Sequence, residues 1–441
     1  MSRTEAASHR PSGNDNRPAR PSLRRVVSRW QIVGLALNDV VGSGVYLLPA
    51  AAAALLGPGS LWAVLLAGLA VLLLVLCFAE AASHFDQPGS AYLYARTAFG
   101  DFVGFEVGWM TWLARVASVS SLSVGFAQAL SYIWPAVGGG LARQAAIVLP
   151  LVVLTGLNVV GVRSGVRTAV VLVVTKLMPL LLFVATGLFF ASRERFALQP
   201  AGSGEFGQAA LLLLFAYAGF ENTAAPAGEY KNPRRDVPFA LVVHIGLVTS
   251  LYFGVQWVAL GTLPDVGSSA TPLADSAERF LGSWAGLLLT AGAALSILGT
   301  NSNTVLAGPR YLLALTRDGF GPSVLARIHP RFRTPAVAIL VQTTIALPLT
   351  LTGSFVQLAT LSVVARLATY LGTAAAVPVL RRKLEPSSET VRLPGGPLIP
   401  VGAGLLTLGL AASAEPSNLI AAGIALVAGA VVYRLRRRRE G

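Results

Sequence analysis

Apolar residues in this chain fall in long blocks, such as 61–79, 170–191 and 419–433, separated by short polar segments. An α-helix needs about 20 mostly apolar residues to cross ~30 Å of hydrocarbon. A chain with many such blocks therefore has one main solution, a helical bundle in lipid. Composition agrees. Of the 441 residues 54% are hydrophobic and only 12% charged, and the mean hydropathy is +0.65, whereas soluble domains carry about a quarter charged residues. The ~10-residue alternating segments of a membrane β-barrel do not occur.

A net charge of +14 raises nucleic acid as a partner. The basic residues lie in short loops between apolar blocks, which is the distribution membrane insertion produces, so no nucleic acid is expected. Cys77 is the only cysteine, which excludes an intrachain disulfide and a multi-cysteine metal site. It reads as a small apolar residue of the second span. Residues 1–28, rich in Arg, Pro, Ser and Asn, read as a disordered cytoplasmic tail. They lack the short apolar region and cleavage site of a signal peptide, so the chain is expected to keep them and to insert through its first span.

Polar punctuation divides the rest into about twelve spans: 31–56, 60–83, 100–134, 144–161, 168–191, 207–228, 237–263, 283–315, 335–353, 356–380, 397–414 and 418–434. With the N-terminus inside, 27 of the 34 Lys and Arg residues fall on the cytoplasmic side. Only Arg143, Arg193, Arg195 and Arg279 lie outside, and Arg115, Lys176 and Arg366 lie within spans. This imbalance predicts a multi-pass protein of the cell membrane with both termini cytoplasmic. The basic residues of 435–441 then sit inside, near anionic lipid.

Two spans carry helix-breaking residues. The first contains Asn38 and Asp39, then Gly42, Ser43 and Gly44, then Pro49; the sixth contains Gly219, Glu221 and Pro226. Glycine weakens a helix and proline removes a donor, so unwinding is predicted in both. Such backbone is tolerated in a membrane only where it is buried in protein or lines a cavity. Interruptions at equivalent places in two halves point to a transporter binding site. The half-helix N-termini aim free N–H groups at a carboxylate, and freed carbonyls accept from an ammonium, which suits a zwitterion. The alternative for the glycines is close helix packing.

The run Gly42-Ser-Gly-Val-Tyr46 with Leu48 and Pro49 resembles the first-helix signature of the amino acid–polyamine–organocation superfamily of permeases. The segment Phe215-Ala-Tyr-Ala-Gly-Phe-Glu221 resembles its sixth-helix signature, and 229–238 its cytoplasmic-loop motif. Further matches are 306–311, Arg317-Asp-Gly319, His329-Pro330 and Thr334-Pro335, in family order. The resemblance implies an all-α, leucine-transporter-like fold: a five-helix repeat over 29–191, its inverted counterpart over 207–383, and two further helices over 397–434. It implies alternating access to a substrate site at the two unwound centres. The backbone from Val41 through Gly42, Ser43 and Gly44 to Val45 would hold the substrate carboxylate, with the Ser43 hydroxyl adding a contact. Carbonyls near Phe215, Ala216 and Ala218 would take the amine, Phe215 or Tyr217 would cap the pocket, and Ser302 and Asn303 would face the substrate side chain. Lys176 resembles a lysine that replaces sodium on the carbonyls of the first helix in proton-coupled members. It is read as a proton carrier, or else as a permanent tie between spans.

A charge at the bilayer centre costs about 3 kcal/mol on insertion scales, so each buried one needs a role. Asp39 departs from the uncharged residue many relatives carry there; pairing with Lys176 or attraction of a cationic substrate would explain it. Glu221 reads as part of a gate or proton path, or as a structural hydrogen-bond acceptor for unwound backbone. Arg115 and Arg366 are expected to pair with Glu80 or Glu106, or to line the aqueous path. The segment 229–236 reads as a cytoplasmic latch or a solvated loop.

These features predict a secondary active transporter of amino acids, driven by protons or by exchange. The alternative is an exchanger of cationic amino acids or polyamines, for which Asp39 and Glu221 speak. A membrane enzyme would need clustered nucleophiles or ligands, and His9, His84, His244 and His329 are widely scattered. A sensor would need a domain to signal through. No cofactor or metal is implied.

Overall fold

The computed structural model describes residues 25–86, 89–161, 166–196, 203–224, 227–385 and 387–437. Its helices are α1 (Arg29–Val40), α2 (Ser43–Leu56), α3 (Ser60–Ser83), α4 (Ser90–Phe99), α5 (Asp101–Leu130), α6 (Gly140–Val160) and α7 (Val166–Gly187). There follow α8 (Ser203–Tyr217), α9 (Pro233–Thr262), α10 (Pro272–Leu281), α11 (Ser283–Arg317), α12 (Ala336–Thr352), α13 (Phe355–Lys383), α14 (Leu398–Ala412) and α15 (Pro416–Arg437). No β-strand occurs among the described residues. The protein is an all-α polytopic membrane protein of about twelve spans. Residues 1–24 of the tail, residues 438–441 and Pro226 lie outside the described residues.

Each expected span corresponds to helix within a few residues, with two exceptions that bear on function. The first span is split into α1 and α2 at Val41 and Gly42. The sixth is α-helical only over its first half, giving way after Tyr217 to short 3-10 turns at Phe220–Asn222 and Ala227–Glu229. Gly219 stands between α8 and the first of these turns at φ +130°, a backbone region that L side chains rarely adopt. Two ten-residue helices, α4 and α10, lie in connections that hydropathy alone passes over, because neither is long enough to span a bilayer.

Hydropathy and position are linked through what each helix faces. Helix α5 is wrapped by α13, α11, α4, α12, α6 and α15, and its most apolar 18-residue stretch is 78% buried. That shielding lets it carry Arg115 and a series of serines. The corresponding stretches of α6 and α15 are only 22% and 6% buried. They expose Leu149, Val152, Leu157, Ile420, Ile424 and Val427, which suits helices against lipid chains rather than water.

At the end predicted to face the cytoplasm, polar contacts tie elements together. Val26 and Val27 donate their N–H groups to the Glu229 carbonyl, Lys231 N–H donates to Val27, and Arg29 approaches Asp236 at 3.4 Å. The segment 229–236 is therefore a latch on the entry to α1 rather than a free loop. Glu80 on α3 is fully buried and is gripped by Arg381 on α13 through two bonds of 2.5 and 2.7 Å, with Leu393 N–H at 3.1 Å. Removing one partner of such a pair leaves an uncompensated charge, whereas replacing both with apolar groups of similar volume need not. Arg381→Met is expected to lower unfolding stability in detergent by about 3 kcal/mol, and Arg381→Met with Glu80→Leu to recover most of it. Thermal melts of the two variants against wild type check this.

Candidate substrate-binding site

The break between α1 and α2 frees the carbonyls of Asn38 and Val41 from helical bonding. Lys176 on α7 reaches them. Its ammonium donates to Asn38 O at 2.9 Å, to Val41 O at 3.3 Å and to the Thr300 hydroxyl of α11 at 3.0 Å. Ser296 also donates to Val41 O at 2.9 Å, and Thr300 donates to it at 3.1 Å. Three acceptors for three N–H bonds describe a fully coordinated ammonium with 1% residual exposure. Asp39 forms no ion pair with Lys176. It points the other way, accepts from Asn222 Nδ2 at 2.7 Å and lies 3.9 Å from Arg115.

Beside the break lies a small cavity, lined by Asp39, Val40, Gly42, Ser43 and Gly44 of the first span and Phe215 and Ala218 of the sixth. Arg115, Ser118 and Leu122 of α5, Thr300 and Thr304 of α11, and Arg366 of α13 complete it. Helix α2 starts at Ser43 with no side-chain cap, so its first N–H groups and positive dipole end lie at the cavity wall. Phe215 lines the wall and meets Phe355 edge-on at 5.9 Å.

Behind this wall is a buried charge network. Glu221 receives Arg366 Nε at 2.8 Å and Gly219 N–H at 2.9 Å, and lies 3.6 Å from Arg115. Arg366 also donates to Ser118 at 2.9 Å and to Ser362. The expectation that Arg115 and Arg366 pair with Glu80 or Glu106 is thus corrected: both face Glu221, Glu80 belongs to Arg381, and neither arginine reaches Glu106. Matching hydroxyl stripes bring these helices together. Thr111 bonds to Thr369 at 2.7 Å, Ser118 to Ser362 at 2.8 Å, and Ser121 to the Phe355 carbonyl at 3.0 Å.

Several expected residues stand elsewhere. Tyr217 is fully buried and donates to Val64 O at 3.2 Å, away from the cavity, which leaves Phe215 as the aromatic at the wall. The Ala216 carbonyl accepts from Tyr252 at 2.8 Å and that of Phe215 from Ala218 N–H. The Val41 carbonyl is taken on the Lys176 side, and Val45 with Ala216 lines a separate, apolar pocket. Ser302 and Asn303 do not line the cavity; Thr300 and Thr304 do. The i, i+4 spacing of Ser296, Thr300 and Thr304 marks that face of α11. Asn222, which no sequence motif singles out, joins Asp39 to Tyr311 on α11 through bonds of 2.7 and 2.9 Å.

A small polar chamber at interrupted helices inside a lipid-facing bundle defines a solute transporter. Among the described residues no group of three His, Cys, Asp or Glu could hold a metal. The chain belongs to the amino acid permease family, whose pattern it matches over residues 27–433. It is 28% identical to the branched-chain amino acid permease BcaP of Bacillus subtilis, across 95% of this chain and 94% of that protein. It is 28% identical to the serine/threonine exchanger SteT of the same organism, across 95% and 98%. Identity to the methylthioribose transporter of that bacterium is 26%, across 95% of each chain.

The network predicts strong coupling between Glu221 and Arg366. Glu221→Gln alone strands two guanidinium groups, so its cost and that of Arg366→Met should fall short of additivity by about 1–3 kcal/mol in the double variant. A double-mutant cycle on unfolding stability measures it.

Proposed function

We propose that the protein is a secondary active permease that carries amino acids across the cell membrane by alternating access, driven by protons. In this reading 29–191 and 207–383 are inverted repeats, 397–434 supplies two outer helices, and both termini are cytoplasmic. The 27 to 4 bias of basic residues supports that orientation. The substrate's carboxylate lies on the N-terminus of α2 and its ammonium near the end of α8.

The observation that carries proton coupling is the ammonium of Lys176 bound to Asn38 O, Val41 O and Thr300 at the break of the first span. A monovalent cation at that point holds α1, α2, α7 and α11 together. A neutral amine has one donor fewer and no charge, so losing a proton weakens the grip on the break. Protonation thereby sets how firmly the first span is closed on the substrate. Asp39 and Glu221, the carboxylates that spoke for a cationic substrate, both face guanidinium groups.

Uptake of labelled amino acids into proteoliposomes tests this. With an inward proton gradient, wild type is expected to accumulate substrate. Lys176→Ala is expected to lose accumulation while remaining folded by its melt. Accumulation that follows sodium alone, or that Lys176→Ala leaves intact, rules out the proton role. Flux only against internal amino acid makes the protein an exchanger.

A further inference from the structure

Two guanidinium groups line the substrate cavity, and their surroundings differ. Arg366 is coordinated by Glu221, Ser118 and Ser362. Arg115, with a side chain 3% exposed, is not: its Nε and Nη2 donate to no acceptor among the described residues. The closest carboxylates stand beyond hydrogen-bond reach, Glu221 at 3.6 Å and Asp39 at 3.9 Å, and Asp39 is already held by Asn222. A buried guanidinium without hydrogen bonds is costly, and its planar fork suits a carboxylate's two oxygens. The Ser43 hydroxyl on the same cavity is also buried and without a partner.

Charge balance points the same way. When all are ionised, Arg115, Arg366 and Asp39 at the cavity wall, Glu221 behind them and Lys176 across the break together leave one positive charge near the cavity. A zwitterion leaves that charge unchanged, whereas a substrate with one further carboxylate cancels it. We propose that Arg115 binds the side-chain carboxylate of an acidic amino acid, whose amino and α-carboxylate groups occupy the helix breaks. This rests on the amino acid permease reading above and names the substrate class of that same site.

The test measures binding and uptake of L-glutamate, L-aspartate and L-leucine by the full chain, in detergent by thermal shift and in proteoliposomes by labelled flux. Wild type is expected to bind and carry an acidic amino acid. In Arg115→Gln the ratio of acidic-substrate to leucine affinity should fall at least about tenfold. Arg115→Lys keeps the charge that Asp39 and Glu221 face but lacks the planar fork. It should lose several-fold in the same ratio, and it carries the test if the glutamine variant does not fold. Leucine carried with neither acid bound, or a ratio that neither variant moves, overturns the assignment of Arg115 and leaves the permease reading standing. No amino acid bound or carried by folded protein overturns that reading, and this inference with it.

Discussion

A helix interrupted inside a membrane bundle must place its freed carbonyls somewhere, because hydrocarbon offers no hydrogen bonds. Here the carbonyls of Asn38 and Val41 meet the Lys176 ammonium, with Ser296 and Thr300 closing around them. The remaining features of the site depend on that arrangement. It sets the gap between α1 and α2, leaves the N-terminus of α2 uncapped at the cavity, and brings α7 and α11 against the first span. The same contacts explain how a cation can sit at 1% exposure: all three of its N–H bonds have acceptors.

A second layer of charge lies on the other side of the break. Glu221 and Asp39 face Arg115 and Arg366, each from a different part of the chain. The pairing is uneven, since Arg366 uses its donors on Glu221 and two serines while Arg115 holds only distant Coulombic contacts. Arg115 is therefore the guanidinium at the cavity wall with donors to spare. The hydroxyl ladder between α5 and α13 joins these helices on the side where Arg366 is held, and Arg115 faces the cavity.

The glycines of the first span illustrate how packing and unwinding coincide. A Cβ on Gly44 would stand 2.6 Å from Ala216 Cα, so α2 and α8 touch backbone to backbone there. A Cβ on Gly42 would meet Thr300 at 3.1 Å, beside the atoms that bind Lys176. Close packing and a broken helix are thus not competing explanations at these positions. The absence of side chains lets the two broken spans approach, and that approach brings their freed ends to one chamber.

Much of this was legible in the chain alone. The spans follow from apolar run length, which the bilayer thickness dictates whatever the neighbours are. The two breaks fall at glycines, Gly42 and Gly219, whose backbone effects are local, while Pro49 sits inside α2; Lys176 stood out because an unexplained charge in lipid is expensive. Three things were not legible. On α11 the sequence offers polar side chains at every position from Thr300 to Thr304, and only the rotation of the helix against α1 and α7 selects Thr300 and Thr304 over Ser302 and Asn303. Asp39 turned to Arg115 and Asn222 rather than Lys176, and Arg366 found Glu221 at 145 residues' separation. Local rules fix what each helix is and where it bends. Which charges meet is decided by how the helices pack, since facing and distance between remote segments exist only in the folded bundle.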